Sequence, residues 1–223
     1  GIGVGPGDPE LMTLKAVRLI EECDYVAVPK SGGGEGVAKQ IARQAVKNFD
    51  QKQLLEVSMP MTRDPQVLEE SHQRAAEQIE ACLSAGKSVA FLTLGDPAIY
   101  STYIYVHKRV QQHGFEVEMV PGVPSFCAVA AKLNISLAEG AQPLHVIPAS
   151  YQGVEEGLEW NGPKVLMKTG RSMKKVKELL SEKGLLDSAK MVQKCGMEGE
   201  EIYQSMADVD ENSSYFSVIV VKD

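Results

Sequence analysis

Residues 89–94 (VAFLTL) form an almost unbroken hydrophobic stretch, which Gly95, Asp96 and Pro97 follow at once. An apolar run too short for an ordinary helix is typical of a strand buried on both faces of a parallel sheet. Asp96 is a favoured N-cap and Pro97 suits the first helical position, so we predict that the backbone passes directly from strand to helix. Ligands of open α/β sheets bind outside the carboxyl ends of strands, which makes this turn a candidate site. A capped connection that binds no ligand is the alternative.

Elsewhere, segments with apolar residues at helical spacing alternate with short apolar runs. The helical spacing predicts helices over residues 13–22, 37–46, 66–85, 100–113, 126–133 and 173–183. The short runs predict further strands at residues 25–28, 54–57, 117–120, 144–147, 165–168, 191–195 and 216–221. This alternation predicts an α/β fold. The last strands leave no room for full helices between them, so we expect the second sheet to be partly antiparallel.

The character of the sequence changes after Asn134, where residues 135–143 have the composition of a linker. Because domain boundaries fall in such segments, we predict two α/β domains, residues 1–136 and 137–223. The first contains the glycine-rich loop and the Gly-Asp-Pro turn, and the second contains the mixed sheet.

Composition excludes several classes of protein. Hydrophobic residues make up 43% of the chain and charged residues 24%, as in an ordinary globular protein. The net charge of −7 argues against a general nucleic-acid binder, and no apolar run approaches the ~20 residues of a membrane span. The four cysteines are scattered and neither they nor the histidines show metal-ligand spacing, so we expect reduced thiols, a cytoplasmic location and no metal site.

Two further turns are rich in glycine and proline. Residues 1–9 (GIGVGPGDP) resemble the end of a strand running into a loop that a ligand could approach closely, but they match neither GxGxxG nor the phosphate-binding P-loop. Residues 121–125 (PGVPS) form the second turn. With the hydroxyls of Ser101, Thr102 and Ser125 nearby, these turns predict a binding cleft at one edge of the sheet.

In order and spacing, residues 3–9 (GVGPGDP), 95–101 (GDPAIYS) and 121–125 (PGVPS) resemble the tetrapyrrole (corrin/porphyrin) methylases. Residues 60–64 (PMTRD), 91–97 (FLTLGDP), 100–103 (YSTY) and 146–149 (VIPA) further resemble the C-20 methyltransferases of corrin synthesis. The resemblance implies two α/β domains of the class III methyltransferase type, with S-adenosyl-L-methionine held in the cleft between them. It also implies a homodimer.

The resemblance assigns the site residues. It implies cofactor contacts from Pro6, Leu94, Gly95, Asp96, Ile99, Ser101, Thr102, Pro124, Ser125, Phe126, Lys168 and Gly196. The glycine loop, with Gly5 and Gly7, would face the tetrapyrrole. Asp8 would serve as the base that removes a proton from the methylated carbon, and a helix-capping role for Asp8 is the compatible alternative.

A substrate with many carboxylates needs a local basic rim on an acidic protein. We nominate Lys30, Lys39, Arg43 and Arg63, which lie beside the glycine-rich segments. For Lys39 and Arg43, a solvated helix face is the alternative.

The function that the resemblance implies is methylation of C-20 of precorrin-2 or cobalt-factor II in cobalamin biosynthesis, with S-adenosyl-L-methionine as the methyl donor. Three alternatives stay open. The chain could methylate another corrin position, methylate a protein as the diphthamide-pathway relatives do, or bind a small molecule without turnover.

Overall fold

The computed structural model describes residues 1–32, 34–151, 153–210 and 216–222. The chain divides into two compact units, Gly1–Pro124 and Ser125–Asp223. Both units are built from helices and strands, which confirms the predicted α/β class. Among the residues that the structure describes, no helix has both the length and the hydrophobicity of a membrane span.

The first unit contains one parallel sheet. Its strands are β1 (Ile2–Gly3), β2 (Tyr25–Lys30), β3 (Gln53–Ser58) and β4 (Val89–Thr93). Its helices are α1 (Leu14–Glu22), α2 (Val37–Ala45), α3 (Pro65–Ser84) and α4 (Tyr103–Gln112). The strands lie in the order β1-β4-β2-β3, so β4 occupies an interior position.

Strand β4 is buried on both faces, as its apolar sequence predicts. Ala90 and Leu92 pack into the core beneath α1 and α2. Phe91 packs on the opposite face with residues of α3 and α4. Because successive side chains of a strand point to opposite faces, a continuous apolar run is what a strand between two helical layers requires.

Two predictions about this unit are wrong. The chain does not pass directly from β4 into a helix, because α4 begins only at Tyr103. Tyr100 has a φ of 49°, and this left-handed backbone prevents a helix from running through it. Residues 117–120 do not form a strand; within this described segment, Val120 alone makes a parallel bridge, with Ile2.

The second unit contains a mixed sheet. Its strands are β5 (His145–Pro148), β6 (Lys164–Met167), β7 (Ala189–Gln193), β8 (Glu201–Tyr203) and β9 (Ser217–Val221). Its helices are α5 (Ser125–Leu133), α6 (Val154–Gly157) and α7 (Met173–Glu182). The order is β5-β6-β9-β7-β8. Strands β5 and β6 are parallel, whereas β9 is antiparallel to both β6 and β7, as expected for a partly antiparallel sheet.

The units separate at Pro124 and Ser125, before the linker that suggested a boundary at residues 136 and 137. Helix α5 contacts β7 and β9, so it belongs with the second sheet. Composition identifies the polar segment after α5 but carries no information on which sheet the helix packs against.

Candidate functional site

Three backbone segments of the first unit meet beyond the carboxyl end of β4. Gly5 and Gly95 exchange backbone hydrogen bonds of 2.8 and 3.3 Å. A Cβ atom on Gly122 would lie 2.2 Å from the carbonyl oxygen of Gly95, and one on Gly3 would lie 2.6 Å from the same atom. Only glycine permits backbones to approach this closely. We refer to these segments, residues 3–8, 94–102 and 121–124, as the strand-end turns.

Asp96 joins two of the strand-end turns. Its Oδ1 accepts a hydrogen bond of 2.7 Å from the backbone N–H of Ala98, within its own turn. Its Oδ2 accepts one of 3.0 Å from the backbone N–H of Gly122. Asp96 therefore caps its own turn, although no helix starts there, and also fixes the position of the neighbouring turn.

Asp8 lies at the end of the first strand-end turn. Its Oδ1 accepts a hydrogen bond of 2.9 Å from the backbone N–H of Glu10, and Asp8 is the N-cap of a short 3₁₀ helix, Pro9–Leu11. The predicted capping role is thus what the structure contains. Within the described part of the chain no cation pairs with Asp8. Its second oxygen, Oδ2, can therefore accept a proton or a hydrogen bond from a ligand.

The turn after β4 exposes apolar and hydroxyl groups. Leu94 is half-buried, and Ile99 is 37% exposed. The Ser101 hydroxyl accepts a hydrogen bond of 3.1 Å from the backbone N–H of Tyr103, while exposed Thr102 precedes α4 without a side-chain capping bond. Pro6 and Gly7 of the first turn are buried. An apolar surface with a few polar groups is typical of small-molecule sites.

Lys30 and Glu56 lie at the carboxyl ends of β2 and β3. The Lys30 ammonium is 2.9 Å from the Glu56 carboxylate, and its hydrogen bond lowers the pKa of Glu56. The pair borders a surface pocket of about 400 Å³. Lys30 therefore has a carboxylate partner within the protein, which its position in the sequence did not reveal.

The other nominated basic residues differ in their surroundings. Lys39 pairs with Glu35 at 3.0 Å, and Arg43 pairs with Asp50 at 2.8 Å and with Glu35 at 3.8 Å. Arg63 is exposed just before α3. The spacing of Glu35 and Lys39, four residues apart, is the sequence signal for such a pair. Lys39 and Arg43 thus both have carboxylate partners within the chain.

In the second unit, two lysines follow strands that end at one edge of the sheet. Lys168 follows β6 and Lys194 follows β7, and β9 lies between these strands antiparallel to both. The backbones of Lys168 and Lys194 are left-handed, with φ of 56° and 51°. Burial lowers the pKa of Lys168, because desolvation disfavours its charged form. Strained backbone at a strand end is a feature found at functional sites.

Gly196 was predicted to present a backbone group to the cofactor. Its N–H donates a hydrogen bond of 2.7 Å to Glu200, and Lys132 lies 3.0 Å from the same carboxylate. Burial opposes ionisation of Glu200, but the Gly196 N–H and the Lys132 ammonium outweigh it and lower the pKa. The N–H of Gly196 is therefore already engaged within the protein.

The remaining predicted cofactor residues are residues 124–126, at the point in the sequence where the first unit ends and the second begins. Pro124 is the last residue of the first unit and Ser125 begins the second, where it is also the first residue of α5. Phe126 is buried, with 8% exposure.

The close approach of Gly3 and Gly122 to Gly95, and the pairing of Glu56 with Lys30, were not predicted from the sequence. The Pro-Gly pair at residues 121–122 was a signal for a turn, but the contact with Gly95 is not encoded locally. Thr93 and Thr169 were also missed: their hydroxyls are buried and lack a hydrogen-bond partner among the described residues.

The sequence is similar to those of known proteins along nearly its whole length. A relative from Methanocaldococcus jannaschii, named probable cobalt-precorrin-2 C(20)-methyltransferase, is 33% identical over 226 residues, which cover 100% of this chain and 94% of the relative. The cobalamin biosynthesis protein CobIJ of Mycobacterium tuberculosis is 36% identical over 99% of this chain. The chain spans about half the length of that protein, 45%.

A solved structure of uroporphyrin-III C-methyl transferase from Thermus thermophilus, complexed with S-adenyl homocysteine, shares the fold. Its TM-score is 0.72 at 19% sequence identity, and the match covers 100% of this chain and 95% of the other. The family model for tetrapyrrole (corrin/porphyrin) methylases matches residues 1–209. The chain therefore belongs to the tetrapyrrole (corrin/porphyrin) methylase family.

Proposed function

We propose that this chain is an S-adenosyl-L-methionine-dependent methyltransferase that methylates C-20 of precorrin-2 or cobalt-factor II in cobalamin biosynthesis. The observation that carries the proposal is the match along almost the whole length of a C(20)-methyltransferase relative, at 33% identity. The strand-end turns supply a ligand-binding edge of the kind that such a reaction needs.

The residues at this edge suit the cofactor. Glycine backbone at Gly5 and Gly95 permits close approach of a ligand, and exposed apolar and hydroxyl groups at residues 99–102 suit the apolar and polar parts of a nucleoside. When bound, the cofactor supplies an electrophilic methyl group on a sulfonium. The residues proposed to hold it are Pro6, Leu94, Gly95, Asp96, Ile99, Ser101, Thr102, Pro124, Ser125, Phe126, Lys168 and Gly196.

Asp96 has a positioning role in this proposal. Since both of its carboxylate oxygens accept backbone N–H groups of the turns, it keeps their shape fixed before any ligand arrives. Holding two reactants in line can supply roughly 7–11 kcal/mol of barrier reduction, provided that the site is already organised.

Asp8 is proposed as the group that accepts the proton released from the methylated carbon. One of its oxygens accepts the Glu10 N–H, which fixes the side-chain direction, and the other has no cation partner among the described residues. The carboxylate is also suited to its position at the start of a helical turn, where negative charge is stabilised.

The macrocycle carries many carboxylates, so we propose that its rim contacts Lys30, Lys39, Arg43 and Arg63 while Gly5 and Gly7 lie beside the ring. Because Lys30, Lys39 and Arg43 have carboxylate partners, substrate carboxylates would have to exchange with these partners. Arg63→Gln is expected to raise the KM for the tetrapyrrole without changing cofactor affinity; an unchanged KM would remove Arg63 from the proposal.

We further propose a homodimer that acts in the cytoplasm. Light scattering coupled to size-exclusion chromatography tests the assembly directly. A mass of one chain, 24.2 kDa, at micromolar protein concentration would contradict the dimer.

The experiment that tests the activity is an anaerobic incubation with methyl-labelled S-adenosyl-L-methionine and either metal-free precorrin-2 or cobalt-factor II. Mass spectrometry and carbon NMR follow the label into the macrocycle. Label at C-20 in one of the two supports the proposal and identifies the substrate. Label at another carbon, or no label from a protein that binds S-adenosylhomocysteine, would overturn the C-20 assignment.

A further inference from the structure

A pocket with mixed charge lies at the carboxyl ends of β2 and β3, outside the strand-end turns. Its volume is about 400 Å³, within the ~300–1,000 Å³ range of small-molecule sites. The pocket is lined by Lys30, Ser31, Gly32, Glu56, Ser58 and Pro60. It therefore combines one cation, one anion and two serines within a small space.

The register of the two parallel strands produces this arrangement. Val28 pairs with Glu56 and Lys30 pairs with Ser58. Residues two apart on a strand share a face, so Lys30, Glu56 and Ser58 all lie on the face where Val28 enters the core. The strands thus fix the backbone positions of the pair, while the side chains remain at the surface.

The Lys30–Glu56 ion pair is weak enough for an external carboxylate to replace Glu56. The side chains of Lys30 and Glu56 are 48% and 65% exposed, and ion pairs this exposed to water are weak. The ammonium has three donors, of which Glu56 takes one. Next to the pair, a Cβ on Gly32 would meet no atom of the described residues within 4 Å, so there is space at Gly32 for a group entering from outside.

We propose that this pocket is the subsite for one carboxylate arm of the substrate, with Lys30 as its ligand and Glu56 as the internal carboxylate that the arm displaces. This inference rests on the proposed function, because it takes the substrate to be a polycarboxylate tetrapyrrole. Glu56 then acts as a specificity-determining residue: an arm that is esterified or amidated lacks the charge to replace it. Because the correct arm must displace Glu56, it binds with lower affinity than it would to an unpaired lysine.

The test compares four variants, and each is measured for substrate KM, kcat and affinity for S-adenosylhomocysteine. Lys30→Gln is expected to raise the substrate KM about tenfold, as the loss of one charge-assisted hydrogen bond does. Lys30→Arg should restore the KM to within about threefold of wild type, because it keeps the charge. Glu56→Gln should lower the KM about threefold, since the internal competitor is gone. Affinity for S-adenosylhomocysteine should stay unchanged in all three.

The matched control is Lys87→Gln. Lys87 is 51% exposed and lies 3.2 Å from Asp24, so it forms the same kind of exposed ion pair. It precedes β4 and therefore lies at the end of the sheet opposite the pocket. Loss of its charge should leave the KM unchanged. An unchanged KM in Lys30→Gln would overturn the subsite. A raised KM in Glu56→Gln would overturn the displacement, because Glu56 would then be positioning Lys30 for substrate.

The two proposals fail in different ways. If the wild-type protein methylates neither tetrapyrrole, the proposed function is wrong and the inference fails with it. If wild type is active and Lys30→Gln has the same KM, the inference alone fails.

Discussion

The carboxylate of Asp96 accepts a hydrogen bond from the backbone N–H of Gly122 at 3.0 Å, across a separation of 26 residues. This contact connects the turn after β4 to the turn that precedes α5. This side chain therefore helps to hold two strand-end turns in register, together with the backbone contacts of Gly3, Gly95 and Gly122.

Replacing this carboxylate should affect both stability and binding. In Asp96→Asn one of the two acceptor oxygens becomes an NH₂ group, so we expect the free energy of unfolding to fall by about 1–2 kcal/mol. The affinity for S-adenosylhomocysteine should fall about tenfold, as it does when about 1.4 kcal/mol of binding energy is lost. Urea denaturation and isothermal titration calorimetry measure the two effects.

The control for that substitution is Asp64→Ala, because both N–H groups at Asp64 are accepted by the same oxygen, Oδ1, which asparagine would keep. Asp64 also accepts two backbone N–H groups, those of Gln66 and Val67, at the start of α3. It should lose similar stability and retain full cofactor affinity. Equal loss of affinity in both variants would contradict a specific role for Asp96.

Position 122 requires glycine because the neighbouring backbone leaves no space for a Cβ atom. The Cβ of Gly122→Ala would lie 2.2 Å from the Gly95 carbonyl oxygen, and backbone cannot withdraw as a flexible side chain can. We expect the free energy of unfolding to fall by about 3 kcal/mol, the upper end of the usual cost of overpacking. Gly32→Ala, where a Cβ meets no atom of the described residues within 4 Å, should change stability little. Similar melting curves for the two variants would rule out the steric explanation.

Lys168 provides a test in the second unit. If it contacts the cofactor, Lys168→Met should weaken S-adenosylhomocysteine binding about tenfold, as expected for loss of a hydrogen bond from a charged group. Lys194→Met is the matched control, because Lys194 also follows a strand with left-handed backbone. Calorimetry should find its affinity unchanged. Wild-type affinity in Lys168→Met would exclude Lys168 from the cofactor site.

The acid sensitivity of the fold should depend in part on Asp24. Hydrogen bonds from the backbone N–H and hydroxyl of Ser88, and from the Lys87 ammonium, lower the pKa of Asp24 from 3.8 to about 2. The folded pKa lies below the unfolded value, so the carboxylate stabilises the fold above pH 3.8 and this contribution is lost as the pH falls towards 2.

The measurement is the urea midpoint of wild type and Asp24→Asn between pH 6 and pH 2. Wild type should be the more stable protein at pH 6, and the difference should shrink as the pH falls below about 4. A difference that stays constant down to pH 2 would show that Asp24 contributes through packing rather than charge.

Much of the fold follows from local pattern. Strand β4 was predictable because burial on both faces requires consecutive apolar residues, and α3 because its apolar positions recur at helical spacing over five turns. The wrong helix start after Pro97 has a specific cause. Asp96 and Pro97 are the residues that begin helices, but the left-handed Tyr100 breaks the path, and the second oxygen of Asp96 is taken by Gly122.

The candidate site was less predictable than the fold. Sequence shows that Lys30 is a cation but not that β3 places Glu56 beside it, because that pairing depends on strand order and register. The short bridge at Val120 likewise depends on its neighbour Ile2, while its own apolar sequence suggested a full strand. Contacts between distant segments are set by topology, which no local window of sequence contains.

The contact of Gly3, Gly95 and Gly122 through main-chain atoms has a consequence for protein engineering. Because peptide groups set the shape of these turns, a library that randomises the side chains around the Lys30 pocket should leave the architecture of the cofactor edge intact. Selection for altered macrocycles could then proceed without redesign of the methyl-donor site, with Gly3, Gly95, Gly122 and Asp96 held fixed in the turns themselves.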